Sequence, residues 1–390
     1  MSILFLAHRV PYPPDRGDKI RSYHVLKHLA ARTPVHLCAF ADHAADETPH
    51  PALRALTASC TIVPRRKGRV RATLEALASG RAASLTAFDD AAMRAAVGAV
   101  PPTDATYCFS GQMAQYLPDD RPAVMDFVDV DSAKFAQLAS TAAAPLRPLL
   151  RREARLLGAH ERAVAARVHA SLFVTEAEAA LFRAGGGAGR IVVVENGIDA
   201  RCFDPGAGFA RLAEQGPLIV MTGQMDYRPN IDGALWFADS VLPAILARHP
   251  QARLAIVGRN PSAAVRALPK RAGVVVTGAV ADVRPWLVAA SVCVAPLALA
   301  RGVQNKVLEA MAMARPVIAS PAAADGIDHG GTVAVADGVE AWIEQVAAVL
   351  AAPMANDAAR ARVLARYDWD ARLAPLDGLF GIGRPMQAAA

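Results

Sequence analysis

The sequence predicts an α/β protein made of two doubly wound domains, each built on a parallel sheet. Three observations carry that prediction. Short apolar runs with strand character alternate with helical stretches along the whole chain, a pattern that calls for a parallel sheet covered on both faces. The alternation runs in two series, separated by turn residues (Asn196-Gly197, Asp204-Pro205, Gly206-Ala-Gly208) clustered between Glu195 and Pro217. The length of 390 residues, 53% of them hydrophobic and 20% charged, suits two domains better than one. The same composition excludes a disordered chain and a small disulfide-stapled scaffold.

The first series opens with a strand at Ile3–Ala7 and a proline-rich loop, Val10-Pro-Tyr-Pro-Pro-Asp-Arg-Gly17. A helix follows in which Ile20, Tyr23, Leu26 and Leu29 recur at intervals of three. Further strands are expected at 35–40, 60–63, 105–109, 123–127, 170–174 and 191–194, with a long helix over 147–167. The second series places strands at 218–221, 253–257, 274–277, 292–295 and 316–319. Helices are expected at 231–247 and 305–314, and an apolar-periodic tail at 369–380. The resulting division is an N-terminal domain over 1–200, a C-terminal domain over 201–366 and a helical tail over 367–390 that packs back on the first. Two such domains facing each other leave a cleft at the carboxyl ends of both sheets, where doubly wound folds bind ligands.

The start of the chain has a short apolar run with no basic flank, so no secretory signal is read. The longest charge-free apolar stretch, Trp286–Ala300, is interrupted by Pro296 and falls short of a membrane span. Both point to a cytoplasmic protein. Cys38, Cys108 and Cys293 sit in apolar runs, and no Cys or Cys/His ligand spacing occurs, so buried reduced thiols and no zinc site are expected. The net charge of +6 is concentrated in two places. Arg65-Arg66-Lys67-Gly68-Arg69-Val70-Arg71 packs five cations into seven positions. The stretch 147–167 holds six arginines against Glu153 and Glu161, interleaved with leucines. As a basic amphipathic helix it suits an anionic membrane surface; as a solvated helix face it needs no partner. The cluster at 65–71 lacks the aromatic residues of a nucleic-acid binder.

The most informative segment runs from Pro296 to Ser320 and reads as loop, helix and strand. Its helix begins near Gln304–Asn305, where unpaired N–H groups and the helix dipole favour a phosphate. Gly302 permits close backbone approach, and Arg301 and Lys306 flank the point with positive charge. Glu309, about one turn into the helix, is placed to accept hydrogen bonds from a ribose diol.

This segment resembles the donor-site motif of retaining glycosyltransferases of family 4, which have the GT-B fold of two Rossmann-like domains facing across a cleft. The resemblance extends to Val194-Glu-Asn-Gly-Ile-Asp199, Met221-Thr-Gly-Gln-Met-Asp-Tyr-Arg-Pro-Asn230 and Thr277-Gly-Ala-Val-Ala-Asp282. With Asp126-Phe-Val-Asp-Val-Asp-Ser132, it is most similar to exopolysaccharide sugar transferases of bacteria bearing the exosortase (PEP-CTERM) system.

The resemblance implies a nucleotide-diphosphate sugar as donor, a glycan or lipid-linked acceptor, no nucleic acid, and neither cofactor nor metal. Glu309 matches the second glutamate of the family's pair, and Arg301 stands where the first is expected. Gly223 matches the glycine turn that admits the donor, Arg228 and Lys306 the cations that neutralise the diphosphate, and Val280 the contact to the base. Gly17 and Lys19 match the loop that touches donor phosphates. Asp129 and Asp131 match the place where relatives set a group beside the reacting sugar, and are the candidates for orienting or deprotonating the acceptor hydroxyl. As strand-end acids they also fit a simpler duty, with Asp131 or Ser132 capping a helix at 133–139. Two alternatives share the fold: a UDP-sugar 2-epimerase, and a scaffold without activity because Arg301 breaks the glutamate pair.

Overall fold

The computed structural model describes residues 1–14, 17–213, 216–300 and 303–383. By their internal contacts these form two units, Met1–Asn196 with the segment from Arg372 onward, and Gly197–Ala371.

Unit 1 holds strands β1 (Ile3–Ala7), β2 (Val35–Ala41), β3 (Ser59–Pro64), β4 (Ala105–Phe109), β5 (Ala123–Val128), β6 (Ala170–Phe173) and β7 (Ile191–Val193). They form one parallel sheet in the order β3-β2-β1-β4-β5-β6-β7. Unit 2 holds β8 (Leu218–Thr222), β9 (Arg253–Val257), β10 (Val274–Gly278), β11 (Val292–Ala295), β12 (Val317–Ala319) and β13 (Ala334–Val335), ordered β10-β9-β8-β11-β12-β13 and again parallel. Every residue of β1, β4, β8 and β11 is buried, as expected of strands covered on both faces. In each sheet the chain reverses its winding between two central strands, β1 and β4 in unit 1, β8 and β11 in unit 2. Ligands of such sheets bind beyond the strand ends at that reversal.

The helices that carry the residues of interest are α1 (Gly17–Ala30), α2 (Arg69–Ser79), α3 (Asp131–Thr141), α4 (Arg147–Arg167) and α5 (Glu176–Ala184) in unit 1. In unit 2 they are α6 (Arg228–Trp236) and α7 (Asn305–Ala312). The final helix, α8 (Trp369–Phe380), enters unit 1 at Arg372. There Asp377 accepts from His28 Nε2 at 2.8 Å and pairs with Arg32 at 3.0 Å. The sequence reading set the divisions at 200 and 366; the contacts set them at 196 and 371.

Two local expectations are corrected. The single helix expected over 231–247 is α6, a π-turn at Phe237–Val241 and a further helix at Leu242–Arg248. Pro243 has no N–H to continue the α-helical ladder, and the Leu242 N–H bonds back to the Phe237 carbonyl, five residues earlier. β13 was missed because it is a two-residue exposed strand with no periodicity to read.

A buried ion pair ties unit 1 together. Arg21 of α1 donates through Nε to Asp126 of β5 at 2.8 Å, and through Nη1 to the Val194 carbonyl at 2.8 Å and Asn196 Oδ1 at 3.0 Å. The Tyr107 hydroxyl of β4 donates to the same carboxylate. Arg21 and Asp126 are fully enclosed. Burial works against the Arg21 charge, but Asp126, Tyr107 and Asp129 together outweigh it and hold the guanidinium pKa above its ordinary value. Removing one partner strands the other without water. Asp126→Ala is therefore expected to cost roughly 3–5 kcal/mol of unit 1 stability, read as a lowered urea midpoint; an unshifted midpoint would show that the pair is dispensable.

Candidate functional site

On unit 2, the loops after β8, β9 and β11 meet around one ammonium group. The backbone turns at Gly223, directly after β8, and its N–H bonds to the Val257 carbonyl of β9 at 3.0 Å. A β-carbon at Gly223 would lie 2.8 Å from Asn230 Nδ2 and 3.3 Å from Lys306 Nζ. One at Gly258, after β9, would fall 1.6 Å from the Gly223 carbonyl oxygen. Only glycine fits either place, which leaves the two strand ends bare of side chains. Asn230, buried in the first turn of α6, donates to the Gln224 carbonyl at 2.8 Å and accepts from Lys306 Nζ.

Lys306 lies in the first turn of α7. The helix is preceded by Gln304, whose side chain makes no capping bond and whose carbonyl accepts from Val307. The amides of Asn305 and Lys306 thus have no intrahelical acceptor, and an anion is the natural partner for them. Loss of water around the Lys306 ammonium pulls its pKa down to about 8, against the attraction of Glu309. Loss of water likewise pushes Glu309 up to about 7, against the attraction of Lys306. Among the described residues, no hydrogen bond restrains the Glu309 carboxylate. A cation and an acceptor near their own titration points, one turn apart, make a site whose charge responds to what binds.

The remaining predicted donor residues are placed less directly. Arg228 is the first residue of α6; it pairs with Asp232 at 2.7 Å and its side chain is 83% exposed. No contact joins it to Lys306, and Asn230 is the α6 residue that reaches the ammonium instead. Val280 follows β10 and its kinked end at Gly278 (φ +70°), half-buried against the unit 2 core. Arg301 and Gly302 lie outside the described residues. Sequence reasoning missed Gly258, and also Arg259, whose Nη2 stands 3.5 Å from Gln224 Oε1. The signal was available: Gly258-Arg259-Asn260 directly follows a predicted strand.

On unit 1, Gly17 begins α1 with open space around its α-carbon. Lys19 is buried, and its ammonium points toward Asp46 Oδ1 at 3.8 Å rather than into solvent. Asp129 and Asp131 do come together. Lys134 of α3 donates to Asp129 Oδ2 at 2.7 Å and to Asp131 Oδ1 at 3.3 Å, and Gln112 Nε2 donates to Asp131 Oδ2 at 3.2 Å. Burial disfavours the Lys134 charge, but the two carboxylates prevail and raise its pKa. Both carboxylates are fixed in direction by the one ammonium, a geometry that suits orienting a hydroxyl. The backbone around it is strained: Ser110, just past β4, has φ +78° and Val128, ending β5, has φ +71°. A β-branched residue in that region is rare and collects at functional sites.

The capping expectation fails. Neither Asp131 nor Ser132 caps α3 with its side chain. The Val130 and Ser132 amides donate instead to Glu178 Oε2 of α5 (2.7 Å) and Glu161 Oε1 of α4 (2.9 Å), so longer carboxylates from neighbouring helices take the cap role. The arginines of α4 are also largely engaged. Arg147, Arg152, Arg162 and Arg167 donate to backbone carbonyls, and Arg167 also pairs with Asp119. Glu153 accepts from the Ala83 and Ser84 amides. The charge pattern of α4 is mostly internal bracing.

Among the described residues no His/Cys/Asp/Glu cluster forms a metal site, and no helix is long and apolar enough to cross a membrane. The Glu309 shift gives a pH signature. Its folded pKa of about 7 lies above its ordinary 4.5, so its cost to stability is fully present above pH 7 and fades as pH falls toward 4.5. Glu309→Gln is expected to be more stable than the parent at pH 8 by on the order of 1 kcal/mol, with the gap closing below pH 5. A urea-midpoint series across pH checks this; a pH-independent gap would contradict it.

Residues 216–352 match the family model of group 1 glycosyl transferases. Among solved structures, the chain is similar to a sucrose-phosphate synthase from Thermosynechococcus elongatus (18% identity, 97% of this chain and 98% of that one, TM-score 0.62). It is also similar to Anabaena HepE in complex with UDP (15% identity, 98% and 100% covered, TM-score 0.63). A third is a trehalose-6-phosphate protein from E. coli bound with UDP-2-fluoro glucose (12% identity, 98% and 100%, TM-score 0.62). No curated protein sequence matches. The chain has the GT-B fold, and the stretch of its second unit from 216 to 352 is similar to group 1 glycosyl transferases.

Proposed function

We propose that this chain transfers a hexose from a nucleotide-diphosphate sugar to a glycan or lipid-linked acceptor with retention, in exopolysaccharide assembly at an anionic membrane surface. The observation that carries the reading is the convergence of Gly223, Asn230 and Lys306 at the β8 and β11 strand ends, beside the uncapped amides of α7. Similar structures solved with UDP and with a UDP-sugar support the donor class. Retention, the exopolysaccharide role and the exosortase link rest on the resemblance in sequence.

In this reading Lys306 and the first amides of α7 receive the diphosphate, with Arg228, Arg301 and Gly302 as further contacts. Glu309 accepts from the ribose hydroxyls, and Val280 meets the base. The bond between the sugar carbon and the phosphate oxygen breaks, and the negative charge that develops on the leaving diphosphate is held by the ammonium and the amides. The acceptor oxygen bonds to the sugar carbon, and its proton passes to the departing phosphate oxygen. The resemblance assigns Gly17 and Lys19 to the donor phosphates, and Asp129 and Asp131, fixed by Lys134, to orienting the acceptor hydroxyl. Neither a cofactor nor a metal is assigned.

The test is a thermal-shift screen of UDP- and GDP-sugars followed by an assay of donor turnover with and without glycan acceptors. Lys306→Met is expected to weaken UDP binding roughly tenfold or more, and affinity of the parent is expected to fall as pH rises past 8, where the ammonium is lost. A parent protein that no sugar nucleotide stabilises would overturn the proposal. Turnover of a UDP-sugar to its epimer without acceptor would replace it by the epimerase.

A further inference from the structure

The helix α2 (Arg69–Ser79) is amphipathic the wrong way round for a helix that serves only its own unit. Its inward side carries alanines: Ala72 and Ala76 are buried, their carbonyls accepting from Thr86 Oγ1 at 2.9 Å and from Arg152 Nη2 at 2.9 Å. Its large apolar side chains face out. Val70, Leu74 and Leu77 are 76%, 62% and 53% exposed, and their spacing of four and three residues sets them in one stripe. Single exposed leucines are ordinary; three in register, beside a buried face of alanines, are not.

The charge around the stripe is one-sided. Five cations lie between Arg65 and Arg71, and Glu75 is the single acid of the segment 65–79. Glu75 takes Lys67 and Arg71, each at 2.7 Å, and Asp42 takes Arg65 at 2.8 Å. Arg66 is exposed and has no ion-pair partner among the described residues. Arg71 is itself 76% exposed, so both Arg66 and Arg71 reach solvent near the start of the helix.

We propose that α2 is the anchor by which unit 1 lies on an anionic lipid surface, its Val70, Leu74 and Leu77 among the acyl chains and Arg66 and Arg71 at the phosphate level. The inference rests on the membrane part of the function proposed above and moves its site from α4, whose arginines brace the unit, to α2. Charge selects this occupant. A second copy docked face to face would bring the exposed Arg66 and Arg71 against their own counterparts, and one helix with three aliphatic side chains is too small for a stable protein partner. A nucleic acid would find no aromatic ring to stack on.

The experiment is sedimentation of the full chain with phosphatidylcholine vesicles, with and without phosphatidylglycerol, at low and high salt. Binding is expected only with the anionic lipid and is expected to weaken with salt. Leu74→Ser and Leu77→Ser should each lower partitioning roughly tenfold, and Arg66→Glu should lower it in anionic vesicles alone. Arg151→Glu with Arg155→Glu, on the exposed side of α4, should leave it unchanged. Unaltered melting temperature and UDP response in the α2 variants show that folding and donor binding are intact. Absence of anionic-vesicle binding by the parent overturns the proposal, as does binding that survives both leucine changes. A parent dimer that Leu74→Ser converts to a monomer by light scattering would assign the stripe to self-association and overturn it as well. A parent that binds vesicles but no sugar nucleotide would sink the transferase reading and leave the anchor standing.

Discussion

Much of unit 1 depends on the pairing of Arg21 with Asp126. The carboxylate is fully buried and accepts from α1 through Arg21 and from β4 through Tyr107. The Val128 amide also donates to its second oxygen at 3.1 Å. That last bond helps hold Val128 at its positive φ, with the Val128 carbonyl accepting from Val174 at 2.9 Å. The left-handed turn at Val128 in turn sets where Asp129 and Asp131 leave the sheet. Arg21 also fixes the Val194 carbonyl and the Asn196 side chain, the last residues of unit 1 before the chain passes into unit 2. A buried ion pair is weak evidence of net stability, because desolvation consumes most of the attraction. Here its consequence is geometric: one carboxylate positions an acid pair and the chain exit together.

The two units repeat one topology and use it differently. In unit 2 the strand ends at the winding reversal are cleared of side chains by Gly223 and Gly258, leaving backbone and one ammonium to meet a ligand. In unit 1 the corresponding ends carry side chains and strain: His8 after β1 stacks on Phe109 at 5.6 Å, and Ser110 after β4 adopts φ +78°. Bare glycine loops suit a diphosphate, whose oxygens need many donors at close range. Side-chain-rich loops suit a partner chosen by shape and hydroxyl pattern.

The strands were legible in the sequence because burial on both faces writes them as continuous apolar runs; β4, β9 and β11 fall at the residues read from Tyr107, Ile256 and Val294 outward. The Lys306–Glu309 segment was legible because both residues sit in one helix turn. What escaped was set by partners distant in sequence. Lys134 is only five residues from Asp129, yet its role depends on the turn at Val128 that no propensity predicts. The cap of α3 comes from Glu161 and Glu178, about 30 and 50 positions away. The arginines of α4 read as a free basic face until their carbonyl partners at Ala76, Ala114 and Gly185 are seen. Arg228 matched a motif position, but Asp232, one turn on, holds it outward.

Lys306 and Glu309 show why this site is not arranged for stability. Each loses water on folding, and each is pushed toward its neutral form despite the other's attraction. An apolar pair in their place would fold at lower cost. In the proposed function, a dianionic diphosphate at the α7 amides reverses the balance at Lys306: it restores the ammonium's preference for charge and takes up the helix dipole at once. Ribose hydroxyls donating to Glu309 do the same for the carboxylate. In that reading the cost of burying the two groups is offset when a donor of that charge pattern binds, and a neutral sugar without its diphosphate offsets none of the cost at Lys306.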